Sequence, residues 1–297
     1  MHPVADNGHA AAQSAATVRD CRPCCVQPMT PDPSPETEAP ERSFIAPCRA
    51  LPFTACLRWL SLGWADFRRA PRISLIVGGV IVLVSVAISA MAWWLGRFAL
   101  LATLLSGFVF VAPLICVRLY SVSRALEDGR QPVLAGTFAL VRRVLGQAAV
   151  FALGQGVIIL LWSRAGMVLN ALFPPNLQDT TALLEFLAIG SAVGAVFALL
   201  TFAVAAFSLP MIADRDVDMV TAAVSSVNAV LRNKSAMLLW AAIIVLLTLL
   251  GFATTFLGLA VIMPWLAYAT WHGYRQTLDP TAWPRLEHAS DPAHRVE

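Results

Sequence analysis

The densest run of polar, potentially reactive side chains is Pro210-Met211-Ile212-Ala213-Asp214-Arg215-Asp216-Val217-Asp218. Three carboxylates beside one guanidinium could bind a divalent cation through oxygen ligands, or grip a basic partner surface. A structural reading competes with this and is favoured. Asp216 or Asp218 is placed to cap a following helix and complement its dipole, and Asp214 to pair with arginines from neighbouring segments. The second candidate is His272, three residues before Arg275. Histidine titrates near neutrality and binds metals. The other four, His2, His9, His288 and His294, lie near the chain ends. An internal haem with two histidine ligands therefore cannot be built, and His272 reads as an interfacial hydrogen-bonding residue. The binding candidates are thus Asp214, Arg215, Asp216, Asp218, His272 and Arg275.

No catalytic residue, metal ligand or cofactor is assigned. Cys21-Arg22-Pro23-Cys24-Cys25 resembles half of a zinc motif, but no second CxxC or CxxH follows, and the six cysteines show no disulfide framework. A Walker loop, GxSxG, HExxH and a dinucleotide fingerprint are all missing, so an enzyme is not expected. Within the apolar stretches the polar candidates are Gln147, Gln155, Arg164 and Glu185. Most sit near span ends, where snorkelling or pairing explains them, so a transport pathway would rest on Gln155 alone.

The elements that must position these residues are membrane helices. The chain has 297 residues, 58% of them hydrophobic and 13% charged, with a mean hydropathy of +0.69. That is far from the soluble mean of about 25% charged. A net charge of +3 gives no basic surface that argues for nucleic acid. Uncharged stretches run from Ile73 to Leu95, Phe98 to Val117, Gln147 to Ser163, Phe186 to Ile212 and Ser235 to Trp271. The first four approach the ~20 residues that cross a bilayer as helix. The fifth would make a helix of roughly 55 Å, almost two membrane thicknesses. It reads as a helical hairpin turning within Gly251 to Gly258, either crossing fully or re-entrant. The expected fold is all-α: a polytopic transmembrane bundle with six spans.

Of the 21 basic residues, all but Arg97 and Arg164 fall on one side of this threading. The positive-inside rule places that side, with both termini, in the cytoplasm. Residues 1–47 carry eight prolines and few aromatics and read as a disordered cytoplasmic tail without a secretory signal. Residues 48–278 form the membrane domain and 279–297 a second cytoplasmic tail. Apolar residues also recur at helical spacing before basic ones: Leu60, Trp64 and Phe67 before Arg68-Arg69; Leu134, Phe138 and Val141 before Arg142-Arg143; Val220, Val224, Val227 and Leu231 before Arg232. These read as short amphipathic helices in the inner headgroup layer, with Trp59, Trp64 and the arginines as anchors. Trp64, Arg68, Arg69, Arg142 and Arg143 are the expected contacts with anionic lipid.

The recurrence of interfacial helix, span, hairpin and span suggests a threefold internal repeat, against imitation by composition alone. Gly107, Pro113 and Arg124 share their offsets with Gly258, Pro264 and Arg275, whereas the middle copy has only Pro210. Gly190, Gly194 and Ala198 put small residues on one face of the fourth span, read as packing inside the monomer ahead of a homodimer contact.

Phe207-Ser208-Leu209-Pro210-Met211 with Asp214 to Asp218, Ala269-Thr270-Trp271-His272-Gly273-Tyr274-Arg275, and Leu62-Gly63-Trp64-Ala65-Asp66-Phe67 look like recurring motifs of a known family. From about Ala50 to Leu278 the chain resembles bacterial integral membrane proteins grouped as a domain of unknown function. Some members carry the label cytochrome c oxidase subunit I, which the histidine count rejects. The resemblance implies a cytoplasmic-membrane location and supplies no activity, cofactor or catalytic residue. The expected function is non-catalytic binding of lipid or a protein partner; the alternative is a small-solute transporter built from repeated hairpins.

Overall fold

Proline 71 divides the first helical stretch in two. The residue before a proline is pushed out of the α region, and Ala70 adopts φ −127°, ψ 53°, while its N–H still bonds the Asp66 carbonyl at 3.0 Å. Helix α1 (Ala55–Arg69) therefore ends there and α2 (Pro71–Trp94) starts in a new direction, with proline at its favoured first position. The computed structural model describes residues 44–94, 115, 117–132, 134–173 and 180–286, with only the backbone given for Ala92 and for 134–143. These residues lie in one compact unit, Arg42–Glu297. The elements that follow are the helical segment 117–127 (α3), α4 (Leu134–Leu172), α5 (Thr180–Asp214), α6 (Met219–Arg232), α7 (Lys234–Ala253) and α8 (Leu259–Thr277).

The protein is all-helical among the described residues, apart from two isolated β-bridges, Cys48 with Leu278 and Arg215 with Arg285. Four helices, α2, α4, α5 and α7, are long and apolar enough to cross a membrane. Most of the expected second span, with Gly107 and Pro113, lies outside the described residues, as do the Cys21 to Cys25 cluster and Arg97. The expected hairpin is present: α7 and α8 are joined by a turn over Thr254–Gly258 in which Thr255 and Phe256 have φ of 55° and 69°. The Thr254 hydroxyl closes it, donating to the Gly251 carbonyl at 2.8 Å and accepting from the Gly258 N–H at 2.8 Å.

Two expectations need correction. No separate interfacial helix precedes the third span. Leu134 to Leu172 is one helix of 39 residues: no proline interrupts it between Arg143 and Gln147, and Gly146 stands there inside the helix rather than ending it. Trp59 is not an interface anchor either: it is fully buried. It packs edge-on against Phe207 and Trp240, with centroids 6.3 and 5.5 Å away, and its Nε1–H donates to Gln276 Oε1 at 2.6 Å. Phe67 is buried as well, so the Leu60–Trp64–Phe67 stripe straddles the edge between core and surroundings.

The least lipophilic long helix, α8, lies at the centre, touching α1, α2, α5 and α7. Its neighbours approach through glycines. A Cβ on Gly63 would stand 2.6 Å from the Ala269 backbone nitrogen, and one on Gly78 would collide with the Ala260 carbonyl. The small-residue face of α5 meets α4, with Gly190 beside Leu169 and Gly194 beside Trp162.

Extended segments at one end of the bundle tie the helix ends together. The Ala46 N–H donates to Ser225 Oγ at 3.0 Å, and Asp279 N–H to the Pro47 carbonyl at 2.9 Å. Asn233, buried between α6 and α7, accepts from Leu51 N–H at 2.8 Å and donates to the carbonyls of Arg49 and Ala229, both at 3.1 Å. Asn233→Ala strands buried backbone groups at about 1–3 kcal/mol each. A loss of about 2 kcal/mol in denaturant unfolding of the detergent-solubilised protein is expected; an unchanged midpoint would mean that water replaces the amide.

Candidate functional site

Two buried carboxylates organise the polar end of the bundle, each held by residues distant in sequence. Asp214 ends α5 and is 1% exposed. Its Oδ1 lies 3.6 Å from Arg124 Nε of α3. Its Oδ2 lies 3.1 Å from Arg215 Nε and 3.8 Å from an Arg275 terminal nitrogen. The Tyr274 hydroxyl donates to the same Oδ2 at 3.0 Å. Three guanidinium groups on one carboxylate would be costly if they had no other acceptor. Each has one: Arg124 donates to the Leu286 carbonyl at 2.7 Å, Arg215 to the Trp283 carbonyl at 2.9 Å, and Arg275 Nε to Glu127 Oε1 at 3.3 Å. The segment after α8 is thereby tied to the end of α5, with Leu286 N–H donating to the Asp214 carbonyl at 3.0 Å.

Burial draws the Arg124 pKa below its ordinary value, opposed by the Asp214 charge. Arg275 goes the other way: burial works against its charge, but Glu127 and Asp214 outweigh it. Burial, then the Asp214 charge and its hydrogen bond, raise the Tyr274 phenol well above 10. A raised folded pKa means the proton is held more tightly in the folded state. Its stabilisation is complete below about pH 10, where the unfolded phenol titrates, and is lost as pH rises through the folded value. Tyr274→Phe is expected to destabilise by about 1 kcal/mol at pH 7. That deficit should shrink in unfolding curves recorded above pH 10, and a pH-independent deficit would contradict the argument.

The second carboxylate, Asp66 of α1, is also buried. Its Oδ2 accepts from Ser123 Oγ at 2.8 Å and lies 2.8 Å from His272 Nε2; Arg69 stands 4.0 Å from Oδ1. The serine and histidine thus both meet the carboxylate, and this geometry does not make a nucleophile of Ser123, whose partner is the acid and not the base.

The expected binding residues are therefore divided. Asp214, Arg215 and Arg275 share the first cluster, whereas His272 belongs to the second. Asp216 and Asp218 are exposed. Asp218 caps α6, accepting from Thr221 N–H at 2.8 Å; burial works against its charge, but the hydrogen bonds from Thr221 and the first backbone N–H groups of the helix together outweigh it and lower its pKa. Gln147 Oε1 completes that helix start by accepting from Met219 N–H at 2.8 Å. Trp64, Arg68 and Arg69 lie on the exposed side of α1, while the side chains of Arg142 and Arg143 lie outside the described residues. No group of three or more His, Cys, Asp or Glu among the described residues is arranged to hold a metal. Asp66, Ser123, Glu127 and Tyr274 were missed. Arg124 carried a signal, since its offset from Pro113 equals that of Arg275 from Pro264, and both arginines meet Asp214.

Four helices are long and apolar enough to cross a membrane, and one of them, α5, ends in the buried Asp214 cluster. Residues 100–214 match the model of a family described as predicted integral membrane protein (DUF2189). The protein is an integral membrane protein with several apolar helices. The match is narrower than the resemblance read from Ala50 to Leu278. It includes Ser123, Arg124 and Asp214 and leaves Asp66, His272 and Arg275 outside. No curated protein and no solved structure matches the chain.

Proposed function

We propose that this is a non-catalytic membrane protein that binds anionic lipid, or a partner protein, at the polar end of its bundle. One observation carries the reading: α1 and α6 turn apolar and basic side chains outward together. On α1 these are Leu57, Trp64, Arg58 and Arg68; on α6, Val220, Leu231 and Arg232. The face of α6 turned inward is small instead, with Ala222, Ser225, Ser226 and Ala229 buried. Outward apolar groups beside arginines suit a helix seated in an anionic headgroup layer. Asp214 is already occupied by three arginines, which supports a structural role there and leaves binding to the outward faces of α1 and α6.

This reading includes six spans in the bacterial cytoplasmic membrane and both termini in the cytoplasm. It also includes a cytoplasmic tail at each end of the membrane domain and a threefold repeat whose first and last copies supply Arg124 and Arg275. Native mass spectra of gently extracted protein test it. Arg68→Glu/Arg69→Glu and Arg142→Glu/Arg143→Glu variants are expected to lose most co-extracted phosphatidylglycerol, and unchanged retention would overturn lipid binding. A transporter is the second reading, favoured by Gln155, which is 4% exposed within α4 and whose Oε1 has no hydrogen-bond partner among the described residues. Uptake by proteoliposomes across a broad solute panel tests it; no accumulation would count against it.

A further inference from the structure

The outer side of α1 is not uniformly convex. Leu60, Ser61, Trp64 and Trp265 of α8 line an open groove of about 270 Å³. Its walls are fixed. The Trp265 indole donates to the Leu60 carbonyl at 2.8 Å, Trp64 packs on Trp265 with centroids 5.2 Å apart, and Trp64 stacks on Phe67 at 5.2 Å with the rings 3° from parallel. A groove with aromatic walls and a single hydroxyl suits a hydrocarbon chain better than a polar solute.

The charge beside it decides which chain. Residues 57, 61, 64 and 68 follow helical spacing, so Arg68 stands one turn beyond Trp64 on the groove's own face. Arg58, Arg68 and Arg72 are exposed and make no ion pair among the described residues. From Ser43 to Leu126 the chain holds one acid, Asp66, and it is buried against Ser123 and His272. The surface around the groove therefore carries positive charge with no exposed carboxylate from this stretch to offset it. Tryptophan at the apolar–polar boundary and arginine just beyond is the order in which a phospholipid presents chain and phosphate.

We propose that this groove is a specific binding site for one anionic phospholipid, its acyl chain between Trp64 and Trp265 and its phosphate at Arg68. The proposal rests on the lipid-binding reading above and assigns it one site. Delipidated full-length protein would be titrated with phosphatidylglycerol or phosphatidylcholine and bound lipids counted by native mass spectrometry. Unfolding temperatures would confirm that each variant is folded. One phosphatidylglycerol is expected to bind at least tenfold more tightly than phosphatidylcholine. Ser61→Trp, which fills the groove, should abolish this tight binding, and Trp64→Ala should weaken it several-fold. Arg68→Gln should remove the preference between headgroups while leaving phosphatidylcholine binding unchanged. If phosphatidylglycerol binding survives Ser61→Trp and Trp64→Ala but falls with the Arg68→Glu/Arg69→Glu pair, the groove is overturned and the general reading stands. If none of these variants changes it, both fall.

Discussion

Asp214→Ala is expected to destabilise the protein by about 3–5 kcal/mol, the range for removing one partner of a buried ion pair. The carboxylate is 1% exposed and serves Arg124, Arg215, Arg275 and the Tyr274 hydroxyl together. Its loss leaves Arg124, itself 4% exposed, with backbone carbonyls as its remaining acceptors. Arg275 suffers less, being more exposed and still paired with Glu127. Asp214→Asn should fall between wild type and Asp214→Ala, because the amide oxygen can accept one bond but carries no charge to balance the guanidinium groups. Thermal and denaturant unfolding in detergent would measure both. A loss below 1 kcal/mol for Asp214→Ala would mean that water enters the cluster and solvates the arginines.

Valine at Gly63 or Gly78 is expected to remove at least about 2–3 kcal/mol, at the upper end of overpacking costs. Added atoms at these positions meet backbone rather than a movable side chain: the Ala269 nitrogen and Cα at 2.6 and 2.9 Å from a Cβ on Gly63, and the Ala260 carbonyl at Gly78. Either α1 or α2 would have to back away from α8, loosening the contacts that hold the central helix. Gly79 is the matched control, since a Cβ there meets nothing within 4 Å. Gly79→Val should stay within about 0.5 kcal/mol of wild type. If Gly78→Val and Gly79→Val behaved alike, the close approach of α2 to α8 would be wrong.

Periodicity and composition told much about the elements. The run from Ser235 to Trp271 was too long for one crossing and held glycines in its middle, so a hairpin was legible. A cap at Asp216 or Asp218 was legible because a helix start followed them, and the fold selects Asp218. The continuous α4 was less so: the Leu134, Phe138 and Val141 stripe looked amphipathic, and backbone continuity past Arg143 and Gly146 rests on the absence of a proline there, a weaker signal than the stripe. Trp59 and Trp64 are alike as residues five apart, yet one is core and the other surface. The difference arises because Phe207 of α5 and Trp240 of α7 close over Trp59, whereas Trp64 meets α8 only at its edge, through Trp265.

The amino-acid sequence by itself determined the medium and the helices. Apolar runs of membrane-crossing length can satisfy their backbone groups in lipid only as helices, and that constraint is local. The tertiary structure alone decided which charged side chains meet. Asp214, Arg124 and Arg275 are 90 and 61 residues apart, and Asp66 and His272 are separated by 206. Nothing in their spacing ranks these pairs above any other combination of acids with nearby arginines or histidine. Packing α8 against α1 and α5 ranks them, because a carboxylate buried there must take a partner from whichever helix faces it.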